Sequence, residues 1–104
     1  MEPEQGTITW INKKKGRIKV RLQGGRTVRF WLVRVRMPVT NDGRVELADR
    51  ETTHEACSRL RTGSHMLVWL ETSCSQVRVH RATPKVLWLE AELAAASKST
   101  VIAS

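Results

Sequence analysis

Ten of the eighteen cations in this chain fall between positions 13 and 36: Lys13, Lys14, Lys15, Arg17, Lys19, Arg21, Arg26, Arg29, Arg34 and Arg36. That segment holds no Asp or Glu. Side chains of this kind neutralise phosphates and release the counterions condensed on them. Trp10 and Trp31 lie at the edge of the run and inside it, and an indole can stack on an unpaired base. The residues that would do this chemistry are Lys13, Lys15, Arg17, Lys19, Arg29 and Trp31, with Trp10 to be placed by other means. Solubility alone would explain a lysine turn at 13–15. Cations repeated on one face with no acid beside them favour contact with nucleic acid.

Other chemistry finds little to work with. His54, His65 and His80 are far apart, and no Cys or carboxylate stands at zinc-ligand spacing, so no metal is expected. Cys57 reads as a reduced core thiol and Cys74 as an incidental one. Ser58, Ser64 and Ser73 sit in no nucleophile motif, and Gly24-Gly25 is a turn rather than a phosphate loop. We expect no catalytic residue, no cofactor and no enzyme activity.

The elements that must position the candidate residues belong to a chain of 104 residues with net charge +8, enough for one domain with a modest core. Apolar residues make up 40% and charged residues 27%, the balance of an ordinary folded domain. No apolar run reaches the ~20 residues of a membrane helix, and the start MEPEQGTITW has no signal-peptide core. A cytoplasmic protein without membrane contact is the expectation.

Residues 7–11 are β-branched and aromatic, and 12–16 form a turn closed by glycine. Residues 17–22 alternate strictly, which sends Ile18, Val20 and Leu22 inward and Arg17, Lys19 and Arg21 outward. After the turn at 23–26, Val28, Phe30 and Leu32 share one face of a third strand, with Arg29 and Trp31 on the other. The phase then breaks near Val33, as a bulge or a bend would make it. Pro38 ends this region, 41–43 is a turn, and 45–47 is a short strand. Thr52 and Glu55 fit a capping box for a helix at about 53–61 that buries Ala56 and Leu60. Strands follow at 65–72 and 77–81, the first apolar on both faces. Trp69 and Trp88 read as core or as packed on a C-terminal helix. Residues 86–89 suit strand or helix, and 90–97 are helical. The boundaries are a disordered 1–5, a barrel over 6–89, a helix over 90–97 and a flexible tail over 98–104. Three strands, a helix and two strands make an all-β fold; the order favours the five-stranded Greek-key OB barrel over an SH3-like or other small barrel.

The opening residues resemble the cold-shock domain family, which begins G-T-V-K-W-F-N and continues K-G-F-G-F-I. Here Gly6-Thr7-Ile8-Thr9-Trp10-Ile11-Asn12 is followed by Lys15-Gly16-Arg17-Ile18-Lys19-Val20. The family's V-F-V-H-F falls on Val28-Arg29-Phe30-Trp31-Leu32, and its L-x-x-G segment on Leu60 to Gly63. The resemblance spans roughly 6–87 and is specific over Gly6 to Gly16. It implies an OB barrel that binds single-stranded RNA or DNA, as an RNA chaperone or a regulator of transcription or translation. It also implies an exposed Trp10, which alternation leaves unplaced because Ile8 is apolar.

The family stacks bases on phenylalanines at the positions held here by Arg17, Lys19 and Arg29. Three lost platforms are worth ~3–9 kcal/mol of stacking. Cations return affinity through phosphates, so binding should depend steeply on salt and little on sequence. Two other partners fit the pattern. One is an acidic protein, met by the basic face or by the apolar segment from Val86 to Ala96. The other is a second copy joined at a strand edge. The oligomeric state is left open.

Overall fold

The computed structural model describes residues 2–48, 53–73 and 75–103, with side chains omitted at Thr53 and from residue 97 onward. Strand β1, Glu4–Asn12, leads through a tight turn to β2, Arg17–Leu22, and then to β3, Thr27–Trp31. On β2 the strict alternation works as expected. Ile18, Val20 and Leu22 are buried while Arg17 and Arg21 are exposed. Each such fully buried aliphatic side chain contributes roughly 1.5–3 kcal/mol.

Gly6 carries a steric burden as well as a match to a motif. A Cβ there would crowd Val20 Cγ1 and lie 2.9 Å from the Arg21 carbonyl oxygen. β1 therefore approaches β2 this closely only where a side chain is missing. Gly16 closes the β1–β2 turn at φ +68°, and its carbonyl accepts from the Leu32 N–H at 2.8 Å.

The phase break after Leu32 is a single 3-10 turn, Leu32–Arg34, rather than a bulge. It buries Leu32 and Val35 three residues apart and leaves Val33 exposed. The chain then forms a separate ribbon, β4 (Pro38–Asn41) and β5 (Arg44–Leu47). Pro38 thus begins a strand instead of ending one. Asp42 and Gly43 join the two strands with φ of 53° and 76°, both left-handed, as a two-residue hairpin turn with primed geometry requires. Helix α1, Thr53–Ser58, is shorter than expected; it places Ala56 and Cys57 in the core, and Leu60 joins them from just beyond its end. Thr52 lies outside the described residues, as does Cys74.

β6 (His65–Ser73) and β7 (Gln76–Pro84) complete a five-stranded antiparallel sheet ordered β3-β2-β1-β6-β7. Its outer strands curl toward one another and meet in a parallel bridge between Val35 and Ala82. There the Arg36 N–H donates to the Ala82 carbonyl at 2.8 Å. The result is an OB-like all-β barrel, nearly closed, around Ile8, Ile18, Val20, Phe30, Leu60, Met66 and Val68.

Both chain ends depart from expectation. Glu4 and Gln5 are not disordered: they pair with Val68 and Leu67, and Gln5 Oε1 accepts from Lys85 Nζ at 2.7 Å. The C-terminal helix α2 runs Lys85–Ala103, absorbing 86–89 at one end and most of the expected tail at the other. Pro84 stops β7 and precedes the first helical residue, where its missing N–H is no loss. Leu87 and Ala95 are buried and Trp88 and Ala91 half-buried, a helical stripe against the ribbon and β6. Trp69 on β6 meets Trp88 at 5.2 Å between ring centroids, tilted by 60°. This contact explains the apolar second face of β6. No helix among the described residues is long and apolar enough to cross a membrane.

Candidate nucleic-acid interface

The outer face of β1, β2 and β3 is organised by register. Arg17 pairs with Trp31 and Lys19 with Arg29, while Trp10 pairs with Lys19 and Asn12 with Arg17. Two rows result across the sheet, Trp10–Lys19–Arg29 and Asn12–Arg17–Trp31. Trp10 reaches this face through a bulge. The register steps from Ile8–Val20 to Trp10–Lys19, two residues of β1 for one of β2. The extra residue reverses the phase, so Ile8 is 1% exposed and Trp10 39% exposed.

Trp10, Arg17, Lys19, Arg29 and Trp31 wall a shallow depression of about 330 Å³ whose floor includes Ile18 and Phe30. The Arg17 guanidinium sits 4.7 Å from the centre of the Trp31 ring, and Lys19 Nζ sits 5.3 Å from that of Trp10. Such cation–π contacts are worth about 0.5–1 kcal/mol at exposed sites, less than the ~1–3 kcal/mol of a stacked base. A flat aromatic ligand can therefore displace the cation from the ring. Until then the contact holds the indole in place. None of the three cations in these walls has a carboxylate partner among the described residues. Lys19 faces Arg29 across the strands, a like-charge pairing that costs the sheet stability.

Five of the seven expected residues thus come together. Lys13 and Lys15 do not line the depression. They are exposed in the β1–β2 turn, where the Lys15 N–H donates to Asn12 Oδ1 at 3.0 Å. The Lys13 charge reaches Cys57 instead. Burial pushes that thiol above its ordinary value, and Lys13 and Arg36 pull it back only in part. Cys57 therefore stays protonated and packs as a small apolar residue, its Sγ 3.7 Å from the Leu32 carbonyl oxygen.

Sequence reasoning missed a second depression beside the first. It shares Arg29, Phe30 and Trp31 with it and adds Arg26, Arg34 and Arg78. Arg26 and Arg34 belong to the acid-free run, which was a signal. Arg78 lies far along the chain and carried none. The histidines lie elsewhere, His65 Nδ1 being 3.3 Å from Thr7 Oγ1 and His80 paired with Glu71 at 3.5 Å. No group of three or more His, Cys, Asp or Glu side chains gathers as a metal site among the described residues. No family model matches the chain, and no curated protein is similar enough to match it.

Proposed function

We propose that the outer face of β1–β3 binds single-stranded RNA or DNA with little sequence preference. One observation carries this reading: two exposed indoles wall the same depression as three cations that have no carboxylate partner among the described residues. Bases would stack on Trp10 and Trp31 while Arg17, Lys19 and Arg29 neutralise phosphates, with Lys13 and Lys15 adding charge from the neighbouring turn. An unpaired base can enter a depression of this shape and a base inside a duplex cannot, which favours single strands. RNA chaperoning, or regulation of transcription or translation in the cytoplasm, is the use such binding would serve.

Titration with single-stranded RNA, single-stranded DNA and duplex at two salt concentrations tests it through tryptophan fluorescence. Single strands should quench the indoles, and affinity should fall with a log–log salt slope of about −0.7 per phosphate contact. Replacing Arg17, Lys19 and Arg29 together with glutamate should abolish this binding. Salt-insensitive affinity, or quenching that survives the triple replacement, would overturn the reading.

A second reading has its own observation. Val86, Leu89 and Leu93 on α2 are 55%, 46% and 70% exposed, an apolar stripe that a protein partner or a second copy could cover. Light scattering across a concentration series measures self-association. Partner capture that survives the glutamate replacements would assign that role to α2.

A further inference from the structure

Among the described residues the sheet is joined across β3 and β7 at one end only. The bridge between Val35 and Ala82 and the bond from Arg36 to Ala82 draw the strands together there. Upstream, β3 is paired only with β2, and β7 only with β6. Between Thr27–Trp31 and Val77–Val79 the twisting strands leave an open seam of about 680 Å³. Arg26, Arg29, Arg34 and Arg78 line it, with an apolar floor that includes Val28, Phe30 and Val79. No carboxylate of the described residues is among its walls. The Arg78 guanidinium donates one bond, to Gln76 Oε1 at 3.3 Å, and keeps its remaining donors.

We infer that the seam is a second subsite for the same single strand, so that a ligand crosses Arg29 and Trp31 from the first depression into the β3–β7 gap. The inference rests on the reading of the β1–β3 face given above and extends it by four arguments. Arg29, Phe30 and Trp31 belong to both depressions, so the two form one track. A seam that only closed a barrel would gain from opposite charges across it, whereas this one gathers cations at a cost in stability. Guanidinium groups hold phosphates bidentately at a rim, and an apolar floor accepts base faces. An acidic peptide laid along β3 would need main-chain pairing with the strand edges as well as repeated acids, and nothing in the shared wall calls for it.

Oligothymidylates from about 4 to about 12 nucleotides, the range of an OB-fold site, test the inference on the full chain. The variant replaces two exposed arginines outside the first depression, Arg34→Ser with Arg78→Ser. For the unmodified protein, affinity should climb with length until the seam is filled. The double variant should bind the shortest oligomers as the unmodified protein does. With the longest it should bind about tenfold more weakly, with a salt slope shallower by about 1.4, two contacts at 0.7 each. Normal binding of short oligomers with an unchanged gain from length overturns the seam subsite and leaves the first depression standing. No binding of short oligomers overturns both. A glutamate-rich peptide that binds the unmodified protein and not the double variant, without altering the gain from length, gives the seam to an acidic protein and overturns the inference.

Discussion

Two pairs of tryptophans stand on different parts of this barrel and meet different fates. Trp10 and Trp31 lie under cations on an uncovered sheet face. Trp69 and Trp88 lie against each other between β6 and α2, both half-buried. Arginine borders both pairs, since Trp69 pairs with Arg81 across β6 and β7 as Trp31 pairs with Arg17. The difference is the cover. α2 lies over the second pair and makes it structural, whereas nothing among the described residues lies over the first. An indole is the same chemical group in both places, and what surrounds it decides whether its face is spent on folding or left for a ligand.

Removing rings from each side should break this symmetry in opposite ways. Trp69→Ala takes away a partner of Trp88 and part of the seat of α2. Stability should fall by about 3 kcal/mol, at the low end of the range for large aromatic truncations because the ring is half-buried. Urea unfolding checks this, and oligonucleotide affinity below the transition should be unchanged. Trp31→Ala should leave the unfolding midpoint close to that of the unmodified protein and weaken single-strand affinity by about 2 kcal/mol, near thirtyfold, in fluorescence anisotropy. If both substitutions shift stability alone, the contrast between the pairs fails.

A smaller effect sharpens the structural side. Thr83 is fully buried and its hydroxyl has no hydrogen-bond partner. Thr83→Val keeps the shape and removes the orphan, which should raise stability by about 1 kcal/mol in the same urea series. On the binding side, Arg29→Thr ends the like-charge contact with Lys19 and should stabilise the sheet by about 0.2–1 kcal/mol. The same change should weaken binding and make the salt slope shallower by about 0.7. Opposite signs for stability and affinity at one residue would mark a face kept for an anion at the fold's expense.

Much of the fold was legible in local pattern. Strict alternation over Arg17–Leu22 determined which side chains face the core, because strand geometry allows only one division of such a sequence. The clustering of Arg17, Lys19 and Arg29 with Trp31 followed from the same rule applied to two adjacent strands. The ribbon at 38–47 is half-visible: its Asp-Gly turn is evident, but local pattern makes Pro38 a stop because its pairing partner Leu47 lies beyond the turn. Residues 86–89 carry no periodicity that separates strand from helix, and the seat that α2 finds on the ribbon and β6 decided the matter.

By itself the sequence determined the alternating core of the first three strands and the sign of the charge on their outer face, since both depend on neighbours within a few residues. Tertiary structure supplied the device that turns Trp10 outward, because a bulge is a mismatch between two strands and exists in neither one alone. It alone brought Arg78 beside Arg26 and Arg34, because barrel closure joins segments that local pattern cannot connect.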